Sequence, residues 1–339
     1  MLIDGTEYLE TVKANFVMVI FGALLATSTL PAMAAIEPDA DPVALELRTV
    51  MLADDAAQDE VNRWLHDFDA LAATNQTTSA STALNQRIHA RFDLVRQSYE
   101  HFLRNHPDSA RGYLAFGSFL NETGDEDGAK TQYENSRQLD PKNPAVWNNL
   151  ANYYGEHGPV TNAFADFAEA IRLKPDEPVY YRNSAAIIRL FHTEAAAFYH
   201  LTEPAVFDKA LELYRQAMQL APENFLLATD YAESFYGLQP LRTNDALAAW
   251  TNALRLAHTT GEQQGVELHL ARVKIAAARF DAARAHLAVV TNTAFLNLKN
   301  RLLHNLSVQE QLATNPAVIS TNRVLPPANP PVPEKPVAR

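Results

Sequence analysis

Hydrophobic residues between positions 110 and 143 predict two short helices that pack against each other. The first stripe has the helical spacing i, i+3, i+4 and i+7 and consists of Tyr113, Phe116, Gly117 and Leu120. The second stripe consists of Ala129, Tyr133 and Ser136. Gly124 lies between the stripes, where a helix must end and the chain must turn, and Pro141 follows the second stripe, where it prevents the helix from continuing. The pattern therefore predicts an antiparallel helical hairpin.

The next 34 residues, 144–177, repeat this pattern without a gap. The aligned pairs are Tyr113/Trp147, Phe116/Leu150, Gly117/Ala151, Leu120/Tyr154, Ala129/Ala163, Tyr133/Phe167, Ser136/Ala170 and Pro141/Pro175. Gly117 and Ala151 are small, so we expect the two helices of each hairpin to approach closely at these positions. A period of about 34 residues with an early aromatic residue, a later alanine and a closing proline resembles the tetratricopeptide repeat.

The resemblance implies an all-α fold, a right-handed superhelical solenoid of antiparallel helix pairs. One hairpin cannot bury its own apolar face, so neighbouring hairpins must stack. Three weaker copies follow at residues 178–224, 225–260 and 261–292, which extends the predicted array over residues 110–292. The third repeat has Ser184 where a large apolar residue is usual. It also contains an insertion at residues 193–203, which we interpret as an extension of both helices.

Further helices are predicted at both ends of the array. Residues 83–109 have the stripe of a second helix without a clear first one, and residues 293–315 carry a single stripe that includes Leu302 and Leu306. We interpret both as caps, because an open solenoid must cover its terminal apolar surfaces. Residues 35–82 predict helices at 43–57 and 60–72, followed by a polar linker at 75–82.

The two terminal segments predict an export signal and a disordered tail. Residues 16–26 are an apolar run that is short for a membrane span, and an A-x-A cleavage context follows at 32–34. We expect residues 1–34 to be removed and the protein to be exported to a bacterial periplasm or secreted; a retained membrane anchor or a buried helix is the alternative. Three acidic residues depart from the usual basic start: Asp4, Glu7 and Glu10. Residues 316–339 are proline-rich, as in a disordered spacer or a polyproline II ligand.

Composition narrows the classes of function. The formal net charge of −12 argues against a nucleic-acid binder, because phosphate neutralisation needs a basic face. The chain has no cysteine, so it forms no disulfide. We find no Gly-rich phosphate loop and no convincing catalytic set. His192 and His200 are eight residues apart, whereas helical metal ligands prefer a spacing of four. We expect no cofactor and no enzymatic activity.

In tetratricopeptide-like stacks the first helix of each pair lines a concave groove. The predicted partner-binding residues lie on the first helices but outside their apolar stripes. They are Arg111, Ser118, Asn121, Asn148, Asn152, Arg182, Arg189, Glu233, Tyr236 and Arg272. The same faces also include Leu114, Glu156, Ala186, Thr229 and Leu268.

The predicted groove suggests one specific mode of recognition. The side chains of Asn148, Asn152, Arg182 and Arg189 are suited to a peptide carboxylate or an acidic side chain, through charge-assisted hydrogen bonds. The alternative is that all four are ordinary solvated residues.

We therefore expect a non-catalytic scaffold that binds a protein or peptide partner. An accessory or self-assembling structural protein of the cell envelope is an alternative. Another is an enzyme with its site at residues 191–204.

Overall fold

The computed structural model describes residues 41–72 and 78–314, and these residues are almost entirely α-helical, with no β-strand among them. The helices are α1 (Pro42–Ala72), α2 (Thr78–Asn105), α3 (Ala110–Glu122), α4 (Glu126–Leu139), α5 (Pro144–His157), α6 (Val160–Leu173), α7 (Pro178–Leu190), α8 (His192–Tyr199), α9 (Glu203–Leu220), α10 (Phe225–Ser234), α11 (Thr243–Leu256), α12 (Thr260–Ala276), α13 (Phe280–Ala288) and α14 (Leu296–Thr314). Short 3-10 turns occupy Phe235–Gly237 and Thr293–Phe295. One compact unit spans Glu46–Thr314, and of the other unit only residues 41–45 are described. The predicted export signal and the predicted tail lie outside the described residues.

The helices pair in chain order and each pair packs on the next, which confirms an all-α solenoid. The pairs are α3/α4, α5/α6, α7/α9, α10/α11 and α12/α13. Contacts between α4 and α5, α6 and α7, α9 and α10, and α11 and α12 join them into one array. The hairpins therefore continue to stack after residue 177, where the sequence repeat weakens.

Small residues set the distance between the two helices of a pair, as predicted. A Cβ atom added to Gly117 would lie 2.6 Å from the ring of Tyr133 and 3.2 Å from the carbonyl oxygen of Ala129. Ala129 and its aligned residue Ala163 are both fully buried. Buried Ser136 donates a hydrogen bond to the Ala110 carbonyl over 2.8 Å, so its hydroxyl ties α4 to the start of α3.

The predicted turns also form. Gly124 and Gly158 both adopt positive φ, +86° and +74°, a conformation that glycine reaches without steric cost. The second helices of the first two repeats end at Leu139 and Leu173, two residues before Pro141 and Pro175.

The N-terminal segment differs from its prediction, because residues 42–72 form one helix rather than two. This helix, α1, runs antiparallel to α2 and contacts it along most of its length. The contacts, with the α1 residue first, are Glu46/His106, Asp54/Tyr99, Glu60/Arg91 and Trp64/Arg87. The helix predicted at 83–109 is thus the second helix of a further hairpin, and α1 is its first helix. The predicted linker is also wrong at its C-terminal end, where α2 begins at Thr78.

Aromatic side chains join this N-terminal hairpin to the first repeat. Tyr99 of α2 stacks on Phe116 of α3 with ring centres 5.3 Å apart, and Phe92 meets Phe119 edge-on at 6.0 Å. Phe102 is fully buried.

The insertion in the third repeat is a separate short helix, α8, and only one of its neighbours is extended. The first helix, α7, ends at Leu190, whereas the second helix, α9, begins at Glu203 and has 18 residues. Phe198 and Tyr199 of α8 pack on Phe164 of α6, with ring centres 5.3 and 5.7 Å apart. The prediction that both helices lengthen is therefore wrong for α7.

At the other end of the array, α14 covers the fifth pair. Leu302 and Leu306 of α14 are buried in one cluster with Leu268 of α12 and Leu287 of α13. None of the helices in residues 41–72 and 78–314 is long and apolar enough to cross a membrane.

Acidic groups meet where the N-terminal hairpin contacts the first repeat. Asp54 is only 9% exposed and accepts a hydrogen bond from the Tyr99 hydroxyl over 2.9 Å. Burial raises the pKa of Asp54 to about 6, although the Tyr99 hydrogen bond opposes the shift. Burial and the neighbouring charges of Asp54 and Asp55 raise the pKa of Glu122 to about 7. This contact therefore carries excess negative charge at neutral pH.

Substitution of two helical glycines should change stability in opposite directions. Gly117→Ala should lower the free energy of unfolding by about 1–2 kcal/mol, because overpacking outweighs the gain in helix propensity. Gly265→Ala in α12 should raise the free energy of unfolding by about 0.5–1 kcal/mol, because alanine favours the helix more than glycine does. The added Cβ has room, since its nearest atom, on Phe295, is 3.8 Å away. Urea unfolding followed by circular dichroism measures both. Equal effects of the two substitutions would contradict close helix contact at Gly117.

Neutralising Asp54 should stabilise the protein at pH 7. The pKa of Asp54 is higher in the folded chain than its ordinary value of 3.8, so protonation favours folding and stability is gained as pH falls through about 6. Asp54→Asn should raise the free energy of unfolding by about 1–3 kcal/mol at pH 7, and its advantage over wild type should vanish near pH ~4. Asp93→Asn, at an exposed position of α2, is the control. An advantage of Asp54→Asn that does not change with pH would contradict this explanation.

Candidate partner-binding groove

The ten predicted partner-binding residues all lie on first helices or directly after one, but they differ in accessibility. Arg111, Glu233 and Arg272 are exposed, and a further six are half-buried: Ser118, Asn121, Asn152, Arg182, Arg189 and Tyr236. Asn148 is buried, at 8% exposed. Leu268 is also misplaced by the prediction, since it is 2% exposed and belongs to the core under α14.

Asn148 and Asn152 take part in an amide network between α5 and α7. Asn183 Nδ2 donates to Asn148 Oδ1 over 3.2 Å and lies 3.5 Å from Asn152 Oδ1. Asn148 in turn donates to Asn149 over 3.2 Å. The repeat pattern does not reveal Asn183, because Arg182 occupies the position aligned with Asn148. These amides stiffen the junction between two repeats, which makes them poor receivers of a peptide carboxylate.

Arg182 is likewise engaged within the protein. Its Nε lies 2.5 Å from Oδ2 of Asp230 on α10, and the two side chains are 12% and 21% exposed. Burial raises the pKa of Asp230, while the positive charges of Arg182 and Arg189 oppose that shift. The Arg182–Asp230 pair links the third repeat to the fourth. Three of the four residues of the predicted clamp therefore already bind neighbouring side chains.

Arg189 differs from the other members of that clamp. Its Nε is buried and makes no hydrogen bond within the described residues. The guanidinium is close enough to Asp230 and Glu233 to lower the pKa of both carboxyls electrostatically. Glu233 is itself accessible to solvent, yet its surroundings raise its pKa, first by desolvation and then by the charge of Asp230.

Beside this cluster lies a stacked group of aromatic and cationic side chains, here called the aromatic shelf: Tyr236, Trp250, His269 and Arg272. The His269 ring stacks on Trp250 with centres 4.1 Å apart and planes 9° apart. The Tyr236 hydroxyl lies 3.1 Å from His269 Nδ1, and the Arg272 guanidinium lies 4.2 Å from the Tyr236 ring centre. Burial, and secondarily the charge of Arg272, lower the pKa of His269 to about 4, so the imidazole is neutral at pH 7.

Together these residues give the groove over α7, α10 and α12 a charge unlike that of the whole chain. Three guanidinium groups (Arg182, Arg189, Arg272) face two carboxylates (Asp230, Glu233), while the chain as a whole carries −12. Chemically, such a surface can receive an anionic or carbonyl oxygen at the exposed part of the half-buried Arg189 side chain. A planar or apolar group can also contact Tyr236 and Arg272, the accessible edge of the aromatic shelf, whereas Trp250 is fully buried.

The residues considered for an enzymatic site at 191–204 make other contacts. His192 Nδ1 lies 3.1 Å from Glu203 at the start of α9, and its ring stacks on Phe207. Glu194 is exposed in the first turn of α8, and His200 ends α8 in the left-handed conformation. These contacts of His192 serve the packing of α8 and α9.

Solved structures similar to this chain include tetratricopeptide repeat (TPR) proteins. YrrB, described as a TPR protein with an unusual peptide-binding site, is 11% identical, with a TM-score of 0.48, over 63% of this chain and 99% of YrrB. The C-terminal part of a TPR repeat-containing protein from Cytophaga hutchinsonii is 13% identical, with a TM-score of 0.48, over 74% of this chain and 98% of that one. PilW, described as a widely conserved type IV pilus biogenesis factor, is 13% identical, with a TM-score of 0.47, over 69% of this chain and 96% of PilW.

No protein-family model and no curated protein matches the chain. At such low identity the likeness to solved structures concerns the fold alone.

Proposed function

We propose that this protein is a non-catalytic scaffold that binds a protein or peptide partner in the groove over α7, α10 and α12. The observation that carries the proposal is the buried, unpartnered Nε of Arg189 beside the aromatic shelf. The side chain as a whole is half-buried, and a small rotation of the guanidinium would let its unpaired N–H donate to an oxygen atom of a partner, which would remove the cost of leaving it unbonded.

The chemistry of the groove favours an acidic segment. A carboxylate, from a side chain or from a peptide C-terminus, makes shorter and stronger hydrogen bonds to guanidinium than a neutral carbonyl does. Arg272, held over the Tyr236 ring, supplies a second accessible cation. Glu233 lies among these cations and limits the excess positive charge, which favours a partner with few rather than many acidic groups.

The internal contacts assign different roles to the predicted residues. Arg189, Arg272 and Tyr236 are proposed to contact the partner. Arg182 is proposed to hold α7 against α10 through Asp230, and the amides of Asn148 and Asn152 to hold α5 against α7. This division revises the carboxylate clamp predicted from the sequence, because only Arg189 keeps its proposed role.

Arg189→Ala should weaken binding of acidic peptides without unfolding the protein. The probes are labelled short peptide pools with acidic, neutral or basic composition, each with a free or an amidated C-terminus, measured by fluorescence anisotropy. Loss of a hydrogen bond to a charged group costs about 1.5–3 kcal/mol, so affinity for the acidic pool should fall roughly ten- to a hundredfold. Arg272→Ala should also weaken binding, and Arg215→Ala on the second helix α9 should not.

If acidic peptides bound Arg189→Ala and Arg272→Ala as tightly as wild type, the binding site would lie elsewhere and the proposal would be refuted. Arg182→Ala is expected to lower stability more than affinity, because it removes the partner of buried Asp230.

We also propose that the scaffold works outside the cytoplasm, with residues 1–34 as a cleaved export signal. The support is the apolar run at 16–26 followed by the A-x-A context at 32–34. Expression in a bacterium, followed by fractionation and N-terminal sequencing, should find a periplasmic or secreted chain that begins at Ala35. Ala34→Arg should block processing. A cytoplasmic chain that keeps residues 1–34 would contradict this proposal.

A further inference from the structure

We propose that Glu126, Glu156 and His157 form a binding site for a divalent transition-metal ion, with Zn²⁺ as the expected ion. One ligand atom of each residue lies within 4.8 Å of the other two, and this is the one such group of three within residues 41–72 and 78–314. A metal ion at its usual distance of about 2.0–2.2 Å from nitrogen and oxygen ligands needs only small side-chain rotations to reach all three.

The three ligands come from two neighbouring repeats. Glu126 lies in the first turn of α4, the second helix of the first repeat, whereas Glu156 and His157 end α5, the first helix of the second repeat. All three are at least partly accessible to solvent. The last carbonyl groups of α5 add negative potential at His157, which favours a cation there.

The imidazole of His157 is already oriented as a metal ligand requires. Its Nδ1 lies 3.2 Å from the Tyr153 carbonyl oxygen, and its ring stacks on the Tyr153 ring with centres 4.5 Å apart and planes 8° apart. The Tyr153 hydroxyl donates to Asp127 over 2.6 Å, which fixes the ring that holds His157. Nε2 is thereby directed at Glu126 Oε2, 2.6 Å away. Metal-bound histidines commonly donate their other ring nitrogen to a carbonyl in this way.

The charges of the cluster also favour a cation. Glu126 and Glu156 place two carboxylates within reach of one imidazole. Lys130, the nearby amine, faces the rings of Tyr153 and Tyr154 and pairs with Glu134 at 3.9 Å. A divalent ion would neutralise both carboxylates.

The ligand set selects among metals. One imidazole nitrogen, two carboxylate oxygens and a water complete the tetrahedral shell that Zn²⁺ prefers. Mg²⁺ and Ca²⁺ prefer oxygen ligands throughout, so they should bind weakly here. A bound ion would connect α4 to α5 and thereby fix the first repeat against the second.

Isothermal titration of the untagged full chain with ZnCl₂ tests the site directly. We expect one saturable site. Glu126→Gln, Glu156→Gln and His157→Ala should each weaken it at least about tenfold, since even outer contacts of metal ligands contribute that much. Glu100→Gln and His304→Ala, at exposed positions on α2 and α14, are matched controls that should leave affinity unchanged. Circular dichroism verifies that each variant is folded.

A spectroscopic titration gives an independent readout. Co²⁺ should produce the intense visible absorption of a tetrahedral site in the wild-type chain, and His157→Ala should lose it. No saturable Zn²⁺ binding by wild type would overturn the proposal. So would equal binding by wild type and the three ligand variants, or affinity for Mg²⁺ equal to that for Zn²⁺.

Discussion

Burial of one apolar face of each helical hairpin against the next hairpin is the interaction on which this structure depends. A single pair of helices of 13 or 14 residues would leave one apolar face in water, so its stability comes from its neighbours. Fully buried small residues such as Ala151, Ala163 and Ala185 allow the close contacts that this stacking needs. The same constraint explains why helices cover both ends, with α1 and α2 before the first repeat and α14 after the fifth.

The groove follows from this stacking, because each first helix can turn only one face to the core. Its remaining polar residues then divide into two groups. Arg182, Asn148 and Asn183 bind partners on adjacent helices and keep neighbouring repeats in register. Arg189 keeps a buried nitrogen without an acceptor, and Arg272 remains accessible. The proposed scaffold function needs both groups, since a partner is recognised best by side chains whose positions are fixed and whose hydrogen bonds are not all used.

Two junctions in the N-terminal half bring carboxylates together, and the local chemistry differs between them. Asp54 and Glu122 meet around the buried Tyr99 hydroxyl, where desolvation favours the protonated acids. Glu126 and Glu156 meet at an accessible edge beside an oriented imidazole, where a cation can enter. The net charge of −12 makes such encounters frequent, and the depth of burial decides whether a proton or a metal ion relieves them.

The sequence by itself determined the repeat, the helix pairs, and the positions of Gly117 and Gly124. These features follow from local spacing, which is visible along the chain. It did not reveal that residues 42–72 are one helix paired with α2, that α8 is a separate helix, or that Leu268 is buried under α14. Nor did it show that Asp230 binds Arg182, that Asn183 binds Asn148, or that Glu126 meets His157. Only the tertiary structure decided these features. The side-chain pairs join residues on different helices. The contacts of a polar side chain depend on which helices pack against it rather than on its position in a stripe.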